Sequence, residues 1–382
     1  MKVFVIAGEP SGDALGAALL DGLRHLRPDL EAAGVAGPLM QAAGATTLFS
    51  MEELSVMGLM EVLPRYPALR RRVIQTAEAA LAIGADAVVT IDSPDFCLRV
   101  AARIKAEKPD MPVIHYVAPS VWAWRPKRAA RMARHVDHVL ALLPFEPPYM
   151  RDAGMTCDFV GHPAAAEPRA TDAEIALFRK VNGIGGEALL ILPGSRAGEI
   201  ARLSEGFGIA AALLMRSRPG MVPVVPVAPG RMRQVREVTA RWSFRPVLAD
   251  MTDPETRRAT FGAGSAAFAA SGTVSLDLAR AGVPMVIGYD FNRVTRAILR
   301  RLVRVDTATL VNLVSETRAV PEFLGVDFDP PRMAAAMARV LADPEPQIES
   351  MRITMERLGQ GGEAPGLRAA RSVLAAIERL SA

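Results

Sequence analysis

Val3-Phe4-Val5-Ile6-Ala7-Gly8-Glu9-Pro10-Ser11-Gly12-Asp13 is the stretch that decides the fold. Five apolar residues in succession read as a buried strand. The Gly-Glu-Pro turn ends it. Ser11-Gly12-Asp13 then opens a helix reaching about His25, because Ser or Asp at a helix start accepts its free N–H groups. The same alternation recurs along the chain. Asp86 to Ile91 reads as a strand followed by a helix near Phe96 to Lys108, and Met111 to Val117 and Val136 to Leu142 read as further strands. After Gly161-His162-Pro163 the composition changes, and Ala164 to Arg169 looks like a linker. The pattern restarts with a strand at Ala188 to Leu192, a helix at Glu199 to Met215 and a strand at Val222 to Val227. Ala266 to Ala270 and Pro284 to Gly288 fit central strands. Two consecutive βαβ series predict an α/β protein with two parallel, doubly wound, Rossmann-like domains. Their expected spans are 1–165 and 166–360, with a last helix about 360–382 able to pack back on the first.

The 382 residues are long for one core, which agrees with two domains. Half the chain is hydrophobic and 23% is charged, as in an ordinary globular protein. The net charge of +4 is far from the basic stripe of a nucleic-acid binder, and no nucleic-acid partner is expected. Lys occurs at only five positions, so the positive charge is nearly all Arg, the side chain suited to bidentate contact with phosphate. Cys97 and Cys157 are far apart without metal-like spacing. No apolar run approaches the roughly 18 residues of a membrane span, so any membrane contact is expected to be peripheral.

Candidate chemistry gathers where strands end. His115-Tyr116-Val117-Ala118-Pro119-Ser120-Val121-Trp122-Ala123-Trp124-Arg125-Pro126-Lys127-Arg128 holds one Tyr and two of the three Trp of the chain. It follows a strand, where open α/β sheets bind ligands. A Trp-anchored loop packed on the core is the competing reading. Ile91-Asp92-Ser93-Pro94-Asp95-Phe96 places two carboxylates past a strand end, either able to serve as general base. Asp95 has a second reading as the cap of a helix beginning at Phe96; Asp92 has none. Glu9 and Ser11 belong to the same edge and could face the ligand, while Asp13 has a reading as a helix-dipole partner. In the second half, Leu192-Pro193-Gly194-Ser195-Arg196 runs from strand to turn to helix, an arrangement that offers N–H groups and a positive dipole end to an anion. Ser271-Gly272-Thr273 repeats the device, and Asp277, one helical turn further on, could hold ribose hydroxyls. The two turns together point to a nucleotide diphosphate. Met57, Leu59 and Met60 lie in an apolar stretch followed by Arg70, Arg71 and Arg72. That is either a core helix with a basic end or a patch for anionic lipid and acyl chains.

These motifs, with Gly34 to Pro38, Met51 to Gly58 and Leu143-Pro144-Phe145-Glu146, keep one order over nearly the whole chain. In that order the chain resembles the lipid-A-disaccharide synthases, inverting glycosyltransferases of the GT-B type whose two domains face a cleft. The Pro-Ser-Val-Trp-Ala-Trp-Arg run is the most specific element. The resemblance implies transfer of diacylglucosamine from UDP-2,3-diacylglucosamine to 2,3-diacylglucosamine 1-phosphate at the cytoplasmic face of the inner membrane, without metal or cofactor. It implies Asp92 as the essential base, with Glu9 and Asp95 beside it. Gly194, Ser195, Arg196, Ser271, Gly272, Thr273, Asp277 and Asn312 would bind the UDP-sugar. Ser11, Met57, Leu59, Met60, Ser120, Trp122, Trp124 and Arg125 would form the acceptor, acyl or membrane face. Three positions depart from the family's pattern: Asp277 stands for a usual Glu, Ala166 for an acidic residue, and Val311 for a proline. A homo-oligomer is compatible with this reading. Rival readings are another GT-B UDP-sugar enzyme, such as an epimerase, and a basic protein that binds membrane or nucleic acid.

Overall fold

The computed structural model describes residues 1–54, 59–123, 127–291 and 306–381. The chain divides into two compact units. One comprises Met1–Ala166 with the segment from Gly361 onward; the other is Glu167–Gln360.

The first unit is built on seven parallel strands: β1 (Lys2–Ala7), β2 (Glu31–Val35), β3 (Thr46–Thr47), β4 (Ala87–Ile91), β5 (Val113–Tyr116), β6 (His138–Ala141) and β7 (Thr156–Phe159). Their order is β3-β2-β1-β4-β5-β6-β7, so the winding reverses between β1 and β4. Ala7 lies opposite Ile91, and Ile91 opposite Tyr116, which brings the ends of three strands level. Val3 to Ala7 and Ala87 to Ile91 have no exposed surface, as expected of central parallel strands covered on both faces.

Two of the quoted motifs prove to be one packing device. Asp13, in the Pro10–Leu26 helix, is buried, and its carboxylate accepts the N–H groups of Leu39 (2.9 Å) and Met40 (3.0 Å). It therefore caps the Pro38–Ala42 helix rather than serving only its own. Gly37 precedes that helix because a Cβ there would lie 2.4 Å from Asp13 Oδ2. Asp13→Ala should cost about 1–2 kcal/mol, the usual loss on removing a cap, read as a lower urea midpoint. A change below about 0.5 kcal/mol would show that water replaces the carboxylate.

The C-terminal Pro365–Ser381 helix belongs to this unit. It lies close against the Pro10–Leu26 helix, where a Cβ on Gly22 would meet the Gly366 carbonyl oxygen at 2.6 Å. Ser372 Oγ lies 2.8 Å from buried His138 Nε2 and donates to Asp158 (2.7 Å). Arg368 donates to the Phe159 carbonyl and covers the Phe159 ring.

The second unit holds six parallel strands: β8 (Ala188–Leu192), β9 (Val222–Val227), β10 (Val247–Asp250), β11 (Ala266–Ala269), β12 (Met285–Tyr289) and β13 (Glu322–Leu324). Their order, β10-β9-β8-β11-β12-β13, reverses between β8 and β11. The long Ala197–Ser217 helix buries Ile200, Leu203, Phe207 and Leu214 on one side of this sheet.

Candidate active site

A doubly wound sheet binds ligand outside the carboxyl ends of its strands, where the strand order reverses. In the first unit that is the β1/β4 boundary. Gly8 and Glu9 follow β1; Asp92 and Ser93 follow β4. The two turns touch, since a Cβ on Gly8 would lie 2.5 Å from Ser93 Oγ. Glu9 is half-buried at the N-cap of the Pro10–Leu26 helix, its carbonyl accepting the Asp13 N–H. Ser11 is exposed in the first turn.

Backbone strain gathers at the same edge. Among the described residues, Asp92 (φ 49°), Ser93 (φ 41°) and Val117 (φ 83°) are three of four non-glycine residues with positive φ. The left-handed region costs roughly 1–2 kcal/mol per residue, and for β-branched Val it is a genuine outlier. Such strain persists where the surroundings enforce it, typically at functional sites. Here the Asp92 N–H donates to the Tyr116 carbonyl (2.9 Å) and the Val117 N–H to that of Leu140 (3.0 Å). Those bonds hold both turns against their neighbouring strands.

Asp95 is not the helix cap anticipated for it. The helix starts at Pro94 with Ser93 at its N-cap, so Asp95 falls inside the first turn. Its carboxylate is fully exposed, 3.8 Å from an Arg128 guanidinium nitrogen. It therefore stands in solvent rather than among the groups gathered at the β1/β4 boundary.

Past β5, Ser120 is exposed and Trp122 half-buried. The Trp122 ring meets Phe145 edge-on at 5.2 Å, and its Nε1–H donates to Glu146 Oε1 (3.3 Å). Trp122 is thus a packed side chain with its polar atom satisfied. Burial pushes the Glu146 carboxyl up to about 7. His115 is buried, 2.8 Å from Thr90 Oγ1; burial, then the Arg128 charge, pushes it down to about 4. It is therefore neutral at physiological pH. Met57, Trp124 and Arg125 lie outside the described residues. Leu59 and Met60 belong to the Leu59–Ala82 helix, and their side chains also lie outside the description.

In the second unit the two anticipated turns flank the β8/β11 boundary. Gly194 has φ 112° and Gly272 φ 138°, a region that glycine enters without strain. The first turn contains a carboxylate that the sequence reading did not place there. Glu199, buried in the first turn of the Ala197–Ser217 helix, accepts the N–H groups of Ser195 and Arg196, both at 3.2 Å. It also accepts from Arg196 Nη1 (3.1 Å) and the Tyr289 hydroxyl (3.2 Å). Those N–H groups, expected to meet a phosphate, are already occupied. What faces outward is the Arg196 guanidinium, 68% exposed. Arg231 Nε donates to the Ser195 carbonyl (3.3 Å), bracing the turn from the loop after β9.

At the second turn, Ser271 Oγ donates to the Ala308 carbonyl (3.3 Å), and Thr273 is exposed at the N-cap of the Val274–Ala281 helix. Asp277 is not left open for a ribose. Both its oxygens accept from Arg257 (2.9 Å each), and Arg280 adds a contact at 3.3 Å. Burial still pushes its carboxyl up, against the pull of these arginines. Asn312 is neither a turn residue nor a free ligand. It is buried in the Leu310–Ser315 helix, Oδ1 accepting from the Val320 N–H (3.0 Å) and Nδ2 donating to the Val320 carbonyl (2.9 Å). A third bond reaches Thr307 Oγ1 (3.3 Å), so the amide pins two segments and is not offered to a donor.

The family model for lipid-A-disaccharide synthetase matches residues 3–375. The chain belongs to that family. A lipid-A-disaccharide synthase of Ruegeria pomeroyi is 55% identical over 381 residues, covering 98% of this chain and 95% of its own length. Among solved structures, the UDP-GlcNAc 2-epimerase of Neisseria meningitidis bound to UDP-GlcNAc superposes with a TM-score of 0.64 at 10% identity, covering 99% of this chain and 100% of its own. The calicheamicin glycosyltransferase CalG4 gives 0.57 at 16%, covering 100% and 99%. These likenesses show the fold alone: the GT-B fold, with two doubly wound parallel-sheet units.

The sequence of this synthase-family chain did not disclose the roles of three residues. Glu199 had a local signal, since Arg196-Ala197-Gly198-Glu199 carries a Glu three residues after the N-cap, placed to accept the N-cap N–H as in one half of a capping box. Arg231 had none, and Glu146 stood in the Leu143-Pro144-Phe145-Glu146 motif without a role, because the roles of both depend on neighbours supplied by other strands. Among the described residues no group of three or more His, Cys, Asp or Glu could hold a metal ion, and no helix is long and apolar enough to cross a membrane.

Proposed function

We propose that this chain transfers 2,3-diacylglucosamine from UDP-2,3-diacylglucosamine to the 6-hydroxyl of 2,3-diacylglucosamine 1-phosphate. The products are a β-1,6-linked disaccharide 1-phosphate and UDP. Besides family membership, one observation supports the reading most directly: a strained aspartate at the switch point of one sheet and a Gly-Ser-Arg turn at that of the other. Asp92 takes the proton of the acceptor hydroxyl as its oxygen attacks the anomeric carbon. The bond from that carbon to the UDP oxygen breaks on the opposite face, inverting the centre. The electron pair leaves with UDP, whose growing charge is met by Arg196 and the Ser271-Gly272-Thr273 turn. Both substrates carry acyl chains, so we place the reaction at the surface of the inner membrane, on its cytoplasmic face. The Met57 stretch is the proposed contact.

Detergent-solubilised protein given UDP-2,3-diacylglucosamine should release UDP only when 2,3-diacylglucosamine 1-phosphate is present. Folded protein that releases none would overturn the substrate assignment. Release without acceptor would move the chain to another UDP-sugar chemistry.

A further inference from the structure

Glu146 lies past β6 on the same sheet edge as Asp92, and nothing in the proposed reaction uses it. It begins the Pro147–Arg151 helix and is 4% exposed. Its two oxygens have separate tasks. Oε2 accepts the Leu143 N–H (3.0 Å), closing its own turn, and Oε1 accepts the Trp122 indole N–H (3.3 Å) across to the loop after β5. The residue before it, Phe145, supplies the ring on which Trp122 rests. Two consecutive residues thus grip one indole, by its ring and by its polar tip.

We infer that Glu146 is a positioning residue for the acceptor side of the reaction, acting through Trp122 to fix the loop from Ala118 to Ala123. The inference rests on the function proposed above. An ionised carboxylate has two good acceptor oxygens; a protonated one keeps one. The loop is therefore held fully only when Glu146 is ionised. Cys157 on β7 is the ionisable group that interacts with Glu146, and Asp158 and Arg151 in turn face Cys157. The Cys157 thiol is pushed up to about 12 by burial, and the Arg151 guanidinium donates to the Cys157 carbonyl (2.7 Å). Among the described residues no ion pair reaches Glu146, which leaves burial as the main influence on its protonation.

The test is a double-variant cycle on the full-length protein. Glu146→Ala should lower kcat/KM for the acceptor about tenfold, the effect of one hydrogen bond to a charged group. UDP affinity should not change. In a Trp122→Phe background, which keeps an aromatic ring and removes the N–H, the same substitution should cost under about twofold, because coupled sites are not additive. Full additivity would overturn the inference. Glu146→Gln, with one acceptor oxygen at every pH, should lose the part of the acceptor kcat/KM profile that rises through pH 7 in the parent protein. A profile unchanged in Glu146→Gln would also overturn it. Should the parent protein release no UDP, the proposed function fails by itself. The Glu146–Trp122 link is then read without substrate. Tryptophan emission of the parent protein should shift with a midpoint near the Glu146 value of about 7. The shift should vanish in Glu146→Gln and in Trp122→Phe, and its persistence in either would remove the link as well.

Discussion

Asp92→Asn should lower acceptor-dependent UDP release by about 10²- to 10⁴-fold, the range that a positioned general base supplies. Asn has the same size and shape as Asp and is among the residues that best tolerate left-handed backbone. The φ of 49° and the N–H bond to the Tyr116 carbonyl can therefore survive the change. What disappears is an oxygen able to take a proton. The fall should appear in kcat, with UDP binding and the melting temperature of the variant close to those of the parent protein. Loss of UDP binding would mean that the substitution acts on the protein as a whole. Retention of more than about a tenth of the activity would remove Asp92 as the base and return attention to Glu9, the other carboxylate at the β1/β4 boundary. Asp95 is a poor substitute, because its carboxylate stands in full solvent beside Arg128. His115 is no better, since it is buried and bonded to Thr90.

The strands were legible in the sequence because central parallel strands, covered on both faces, appear as unbroken apolar runs. Ala188–Leu192 and Val222–Val227 have the bounds expected of them. The turns after β1, β4, β8 and β11 were legible for the same reason, since a Gly or Asp at the end of such a run has few other uses. The partners of polar side chains across the fold were not. Asp13 caps a helix that begins 25 residues after it, and Asn312 bonds to Val320; neither pairing leaves a periodic trace. The strain at Asp92 and Ser93 was likewise hidden. A Ser-Pro pair before a helix suggests a start near Phe96, whereas two left-handed residues in succession let the helix begin at Pro94. In each of these cases the chemistry was readable locally, and the geometry that decides its use was not.

Arg196→Ala should lower kcat by about 10²- to 10³-fold, as expected when a donor aimed at a departing charge is lost. The reason lies in Glu199. Had the Ser195 and Arg196 N–H groups been open, they could have cradled a phosphate with the arginine as a minor helper. Instead a buried carboxylate occupies them, so in the proposed reaction a diphosphate would meet the guanidinium first. Glu199 also bonds Arg196 Nη1, directing the fork, and its side chain sits where a Cβ on Gly194 would lie, 2.6 Å from Oε2. Lys would not replace Arg here, because three donors on one nitrogen cannot bond Glu199 and also present the planar, spread fork that grips a diphosphate bidentately. Arg196→Lys should thus stay well below the parent protein in kcat. The contrasting variant is Glu199→Gln, which retains one acceptor oxygen and removes the negative charge from the turn. If the N–H groups are the true phosphate ligands, Glu199→Gln should tighten UDP binding and Arg196→Ala should cost less than about tenfold. If the guanidinium is the ligand, Arg196→Ala should carry the large loss, and Glu199→Gln should weaken binding by letting the fork turn away.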